Sequence, residues 1–354
     1  MTETQQVWAV VEHGKPLQKI EKPIPEPKGM EILIRVTHCG VCHSDLHFHE
    51  GYYEMGGGKR YYLKDRGATL PRALGHEIIG SVEKLGPDAK PVALGASRIV
   101  YPWTGCQHCR RCEDGDDNLC LNQRNCGVQT DGGYAQYITV PHEKYLVEYG
   151  NLDPTVACTF ACSGLTTLSS IQKIMPLKSQ DPILLIGAGG LGLAAIAMLR
   201  ALGHENIVSA DIAPEKRQAA LDAGASAVAD SKAEDPIEAV TKAAGGPIYG
   251  ALDFVNNKQT AELAFGSLGK GGKMVAVGIA GGEINLSLVS MIFKALTIAG
   301  NITGTPQHLR EVTQLAKDGK YAPVPVTKIP WDQANEALEQ LRQGKVTGRL
   351  ILIH

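Results

Sequence analysis

The stretch Pro182-Ile-Leu-Leu-Ile-Gly-Ala-Gly-Gly-Leu-Gly192 decides the fold. An apolar run long enough for one buried strand ends at Gly187, and the glycines Gly187, Gly189 and Gly192, with Gly190 and Leu191 between them, open an alanine- and leucine-rich segment that reads as a helix. Strand, glycine turn and helix in that order form the dinucleotide fingerprint. The first glycine permits the tight turn, the second lets backbone approach a pyrophosphate, the third packs the helix close, and the helix N-terminus faces the phosphate charge. A second strand, Ile207-Val-Ser-Ala, ends in Asp211. A carboxylate there accepts hydrogen bonds from ribose hydroxyls and repels a 2′-phosphate, and Ile212 and Ala213 follow it where an NADP site would want arginine, so the pattern favours NAD.

Around this motif, from about Val156 to Asn301, strands alternate with helical stretches, which predicts a parallel sheet covered on both faces. Residues 1–155 have a different texture, with short β-rich runs separated by proline and glycine. After Thr305 come two amphipathic helices and a final strand, Gly348-Arg-Leu-Ile-Leu-Ile353, expected to complete the β-rich unit. The chain therefore reads as an α/β protein of two domains, 1–155 completed by 302–354, and 156–301. Its 354 residues exceed what a single core usually supports.

The bulk properties exclude several functions. A formal charge of −2 provides no excess positive field for nucleic acid, and no apolar stretch is long enough to span a bilayer. The N-terminus lacks a secretory pattern, so a cytoplasmic protein is expected. The chain has nine cysteines, an odd number, and most of them lie in tight clusters, which suits thiolate ligands in a reducing compartment better than disulfides.

Two clusters carry metal chemistry. Cys106, Cys109, Cys112 and Cys120 supply four soft ligands from one loop, the donor set of a closed structural zinc site. An iron–sulfur run is the rival, but it closes with a shorter gap and a proline, whereas here Leu121 follows. A DNA-binding zinc ribbon is disfavoured because Glu113, Asp114, Asp116 and Asp117 would repel phosphate. The second cluster, His38-Cys-Gly-Val-Cys-His-Ser-Asp-Leu-His-Phe-His49, admits a redox pair, half a zinc knuckle or buried thiols when taken alone. A catalytic zinc keeps three protein ligands and one open position, and one cysteine of this cluster with His76 and a later cysteine would make such a set.

Gly40-Val-Cys-His-Ser-Asp45, Gly75-His76-Glu77, the four-cysteine loop, Cys162-Ser-Gly164, the glycine fingerprint with Asp211, and Gly348-Arg349 together resemble the zinc-dependent medium-chain alcohol dehydrogenases over essentially the whole chain. The resemblance implies a GroES-like β-rich catalytic domain joined to a Rossmann doubly wound parallel sheet, with the active site between them. It implies Cys42, His76 and Cys162 as ligands of a catalytic zinc, Glu77 as a neighbouring or alternate ligand, and a second, structural zinc on Cys106, Cys109, Cys112 and Cys120. Asp45 would orient His76, Ser44 would take the substrate proton and His47 would pass it to solvent. His43 and Arg349 would sit near the pyrophosphate, Thr166 beside the nicotinamide and Lys216 near the adenosine ribose. Cys158 lies one helical turn before Cys162 and could face the same way, so the residues alone do not separate the two. The resemblance selects Cys162, and Cys39, Cys126, Cys158, His38 and His49 are expected to be packed bystanders.

The implied activity is reversible NAD-linked oxidation of a small-molecule alcohol to an aldehyde or ketone. Alternatives are a polyol or secondary-alcohol dehydrogenase of the same superfamily, or a zinc-stabilised NAD-binding protein without turnover. The resemblance also implies a homo-oligomer, tetramer or dimer, to which Ile284–Phe293 could contribute. Two features depart from the family pattern. One is Gly95-Ala-Ser-Arg-Ile-Val100, where relatives carry Gly-Asp-Arg-Val. The other is a longer loop, 51–71, whose Tyr52, Tyr53, Tyr61 and Tyr62, with Trp103, are expected at the substrate mouth.

Overall fold

The computed structural model describes residues 3–321 and 324–354. Its first sheet system is mostly antiparallel. Strand Ile32–Val41 lies at the centre of a seven-stranded sheet, pairing with Glu77–Leu85 on one side and Arg349–Ile353 on the other. Ser97–Val100 and Leu146–Val147 extend the sheet beyond Glu77–Leu85, and Tyr137–Val140 pairs with the first half of Ile32–Val41. The C-terminal strand therefore does enter the β-rich sheet. A strand absent from the sequence reading, Val326–Pro330, runs parallel beside it. A three-stranded sheet, Gln18–Pro23, Thr4–Val10 and Arg72–Ala73, packs against this body.

The register of the central strands assembles the site. Gly40 stands opposite Glu77, and Val41 opposite Leu350. Cys42, His76 with Glu77, and Arg349 are thus delivered at the ends of three neighbouring strands. Gly40 must be glycine because a Cβ there would strike the Glu77 side chain.

The second sheet has six parallel strands in the spatial order Ala227–Asp230, Ile207–Asp211, Ile183–Ile186, Ile248–Asp253, Leu268–Ala276, Thr297–Gly300. Numbered along the chain this is 3-2-1-4-5-6, the doubly wound order, whose crevice opens where the order reverses beside the first strand. Ile183–Ile186 is fully buried, as a strand covered on both faces must be, and this is why it reads as an unbroken apolar run. Helix Gly190–Ala201 starts directly from it and packs against helix Ser163–Ile174.

The segment 51–71, expected as a long loop, is largely regular. Tyr52–Gly56 and Lys59–Tyr62 form a hairpin, followed by a 3₁₀ turn at Leu63–Arg66. The hairpin reaches across to the parallel-sheet domain, where Gly281 must lack a side chain because the Glu54 carbonyl occupies that space.

Candidate metal and cofactor site

Cys42, His76 and Cys162 meet in the core, each buried, with one ligand atom of each within 4.8 Å of the others. Thiolate and imidazole donors about 2.0–2.3 Å from a common centre would stand about 3.5–3.8 Å apart, so these three can close on one zinc ion with little movement. His76 has neither ring nitrogen in a well-formed hydrogen bond, an unmet demand that a metal would satisfy on one side. On the other side Asp45 Oδ1 lies 3.1 Å from Nδ1, at ion-pair distance though off the line of the N–H. Burial alone would lower the basicity of His76, but Asp45 and Cys42 raise it well above the ordinary imidazole value. Asp45 is itself fixed, accepting from Cys42 N at 2.9 Å and Gly75 N at 3.1 Å. The two thiols act on each other: Cys42 is held well below its usual value chiefly by Cys162, with Arg349 and His76 assisting against burial, and Cys162 is pushed up in turn by Cys42 and by burial.

Cys162, not Cys158, completes the trio. The 3₁₀ turn Cys158–Ala161 ends at Cys162, whose backbone (φ −129°, ψ −71°) leaves the helical path, so the one-turn spacing does not align the two side chains. Cys158 instead contacts the Thr155 carbonyl at 3.4 Å. Cys39 is buried against the Gly40 carbonyl, Cys126 is buried elsewhere, and His49 bonds the Lys15 carbonyl at 2.6 Å. These three and His38, half-buried against Thr37, lie outside the metal trio.

Glu77 lies outside the trio as well. Its carboxylate forms a buried ion pair with Arg349 and accepts from Ser163 N at 3.2 Å, so it is held beside the site as a neighbour and not as one of the grouped ligands. Arg349 is correspondingly not free to serve a phosphate alone. Its guanidinium is committed to Glu77 while its methylene stem fills the space a Cβ on Gly190 would need.

A cleft of about 840 Å³ runs from this trio to the parallel sheet, within the size range of small-molecule sites. Cys42, His43, Ser44, His47, Cys162 and Thr166 line it at one end. Gly187, Gly189, Gly190, Leu191, Gly192, Asp211, Lys216 and Arg349 line it as it continues, whereas His76 and Glu77 lie beneath the lining. The glycines divide their roles physically. Gly187 takes φ +93°, a Cβ on Gly189 would project into open space, and one on Gly192 would collide with the Gly187 carbonyl. Asp211 is buried, one oxygen accepting from Ala188 N at 2.8 Å and the other from Ala213 N at 3.0 Å, which leaves each oxygen a lone pair for a ribose hydroxyl. The Thr166 hydroxyl is buried and unpaired. No hydrogen bond joins Ser44 to His47 among the described residues. His47 stands with its ring centroid 5.3 Å from that of Tyr53, and burial lowers its pKa below the usual value against the pull of Glu50 and Cys42.

The four loop cysteines also converge, with ligand atoms within 4.8 Å of one another. Cys109 Sγ lies 3.6 Å from Cys112 Sγ and 3.7 Å from Cys120 Sγ, close to the edge of about 3.8 Å expected for a zinc–thiolate tetrahedron. Cys120 Sγ accepts from Cys106 N and Asn122 N, both at 3.3 Å, the kind of backbone donation that stabilises bound thiolates.

Of the aromatic residues expected at the substrate mouth, Tyr53 and Trp103 line the cleft. Tyr52, Tyr61 and Tyr62 do not, because the hairpin turns them outward, where Arg60 sits 4.0 Å over the Tyr52 ring. Sequence reasoning missed Phe48, Arg66, Gln123 and Asn125. Nothing local marks them, since they converge from separate segments.

Residues 28–150 match the family model for the alcohol dehydrogenase GroES-like domain and residues 190–318 that for zinc-binding dehydrogenase. The chain belongs to the zinc-binding alcohol dehydrogenase family. It is 33% identical over 345 residues to the NAD-dependent alcohol dehydrogenase of Sulfurisphaera tokodaii, covering 97% of this chain and 98% of that one. It is also 33% identical over 345 residues to the D-arabinose 1-dehydrogenase (NADP(+)) of Saccharolobus solfataricus, covering 96% of this chain and 95% of that one. Among solved structures, the alcohol dehydrogenase of Aeropyrum pernix superposes with a TM-score of 0.90 at 27% identity, covering 99% of this chain and 100% of that chain.

Orientation of His76 by Asp45 gives an expected result. Asp45→Asn lowers zinc affinity or kcat/KM about 10- to 100-fold, the usual effect of removing the carboxylate behind a ligating histidine. Metal analysis alongside steady-state rates checks it, and wild-type values in both would contradict that role.

Proposed function

We propose that this dehydrogenase interconverts an alcohol and its aldehyde or ketone with NAD, at a zinc held by Cys42, His76 and Cys162. The observation that carries the reading is the convergence of that trio on one cleft with the glycine turn and Asp211. When bound, zinc supplies Lewis-acid polarisation of the substrate oxygen, and NAD supplies the hydride acceptor. Ser44 Oγ, beside Cys42 in the lining, takes the substrate's hydroxyl proton, and the His47 imidazole passes it to solvent. Burial holds the pKa of His47 below the ordinary value, which favours the neutral ring, the form that can accept a proton. Thr166 offers its unpaired hydroxyl to the nicotinamide end of the cleft. Asp211 holds the adenosine ribose with Lys216 beside it, and His43 and Arg349 border the glycine turn. Glu77 and Arg349, locked together, keep the floor of the metal site dry and charge-balanced.

A second, structural zinc on Cys106, Cys109, Cys112 and Cys120 pins the intervening loop. Six thiolate ligands over the two sites suit a reducing cytoplasm. A homo-oligomer is supported by exposed Leu288, Val289, Ile292 and Phe293, beside the edge strand Thr297–Gly300. Light scattering reads this directly, and a monomeric mass at micromolar concentration would contradict it.

Initial rates of NADH formation over short, long, aromatic and polyhydroxylated alcohols, each with NAD and with NADP, test the activity. The expected result is an NAD-linked rate on one subset, with NADP at least about 10-fold poorer because the Asp211 carboxylate repels a 2′-phosphate. Preference for NADP, or no turnover by protein containing both zincs, would contradict the reading.

A further inference from the structure

We propose that the substrate carries, at the end remote from its reacting hydroxyl, an anionic oxygen group, carboxylate or phosphate, received by the guanidinium of Arg66. The inference rests on reading the cleft as an alcohol dehydrogenase site and names which alcohols it takes.

Four cationic side chains line the cleft. Arg349 is paired with Glu77, Lys258 lies 3.9 Å from Glu262, and Lys216 belongs to the helix that follows Asp211 at the cofactor end. Arg66 alone of the four stands at the substrate end, and no carboxylate lies at ion-pair distance from it among the described residues. Glu54, which also lines the cleft, is spent on Arg60 at 2.8 Å.

The guanidinium is held ready. Its Nη2 donates to Gln123 Oε1 at 2.7 Å, and that oxygen also accepts from Asn125 Nδ2 at 3.2 Å. Gln123 Nε2 donates to the Asn118 carbonyl at 2.6 Å, so the amide that anchors Arg66 is tied at both ends. The Arg66 carbonyl accepts from Gln129 Nε2 at 2.8 Å, and buried Leu63 anchors the 3₁₀ turn that Gly67, at φ +78°, closes. A guanidinium has five N–H donors, so fixing it through one neutral amide leaves a fork that matches a carboxylate or phosphate in two-pronged geometry.

Between Arg66 and the metal trio the lining is aromatic. Tyr53 lies with its ring centroid 5.3 Å from that of His47 and 6.4 Å from that of Phe48, and Trp103 lies 5.0 Å from His76. The phenol of Tyr53 is driven up by burial, while Arg66 pulls it down and the metal-site thiols push it up, so it feels both ends of the passage. A substrate with a hydroxyl at the trio, an apolar chain along Tyr53, Phe48 and Trp103, and an anion at Arg66 satisfies each group.

The test compares 1-alkanols, ω-hydroxyalkanoates and ω-hydroxyalkyl phosphates in series of increasing chain length, using zinc-loaded enzyme with NAD. The expected result is that one anionic series exceeds the alkanols in kcat/KM by about 10-fold or more at its best length. The better anion identifies the source. Arg66→Gln should reduce the anion-to-alkanol ratio about 100-fold, mainly through KM, Arg66→Lys should restore part of it, and added salt should narrow it. Thermal midpoint and zinc content of each variant show that it is folded. A wild-type preference for alkanols or neutral polyols, or a ratio indifferent to Arg66→Gln, would overturn the proposal. If no alcohol in any series turns over, the proposed activity fails instead. The affinity of the NADH complex for an alkanoate of matched length, measured by calorimetry, then decides the anion site alone: a Kd unmoved by Arg66→Gln contradicts it.

Discussion

Cys42→Ser is expected to lower kcat/KM for alcohol oxidation by about 1,000-fold or more, equivalent to about 4 kcal/mol of transition-state stabilisation. Bound zinc should fall at the same time to what the four-cysteine loop retains. The reason is chemical. Cys42 is the thiol of the trio that is held well below its usual pKa, chiefly by its hydrogen bond with Cys162, and a serine hydroxyl in that place neither ionises near neutrality nor offers a soft donor. Cys162→Ser should behave alike. Cys158→Ser should not, because the Cys158 thiol is engaged with the Thr155 carbonyl away from the trio. Metal content and rate measured on the same preparations check all three. Loss of metal in Cys158→Ser with retention in Cys162→Ser would reverse the ligand assignment.

Cys109→Ser is expected to act on stability. Its Sγ lies within 3.7 Å of two other loop cysteines, and a metal held by the four would contribute directly to folding energy. The loop also anchors its surroundings. Buried Asp117 accepts from Tyr145 Oη and pairs with Lys144 at 3.1 Å, and Asn118 Nδ2 donates to the Ile302 carbonyl at 2.7 Å. Releasing the loop should cost several kcal/mol and lower the thermal midpoint by about 5–10 °C or more. kcat per remaining catalytic zinc should stay within about threefold, because Ser44, His47 and the trio lie elsewhere. Calorimetry with zinc analysis reads it, and an unshifted midpoint would show that the four thiols hold no structural metal.

What the sequence disclosed followed from physical constraint. The glycine turn was legible because Gly187 needs a positive φ and Gly192 has no room for a side chain, and both requirements admit one residue type. Ile183–Ile186 was legible because a strand buried on both faces must be apolar throughout. Val326–Pro330 was missed because Ile329 is its one buried residue and it ends in proline, a weak signal for a strand that nevertheless pairs in parallel with the C-terminus. The hairpin of 52–62 was missed for a similar reason. Neither strand presents a buried face, so the period of two that marks a strand has nothing to act on.

At the site, Cys42 and His76 stood out by residue type and grouping, but the choice of Cys162 over Cys158 depended on a backbone departure that spacing cannot show. The pairing of Glu77 with Arg349 joins residues far apart in the chain, and the amide network ties Arg66 to the distant segment 118–129, so both exist only in the folded molecule.

The central claim is that the metal at Cys42, His76 and Cys162 is where NAD-linked alcohol oxidation occurs, and stepwise metal removal tests it most directly. A chelator should withdraw the cleft metal first, since that site opens to the cleft whereas a metal in the loop would be enclosed by four thiolates. Activity should fall in proportion to that first zinc and return when zinc is restored, with the thermal midpoint little changed until the second metal leaves. Full activity in protein stripped of the first zinc would contradict the account.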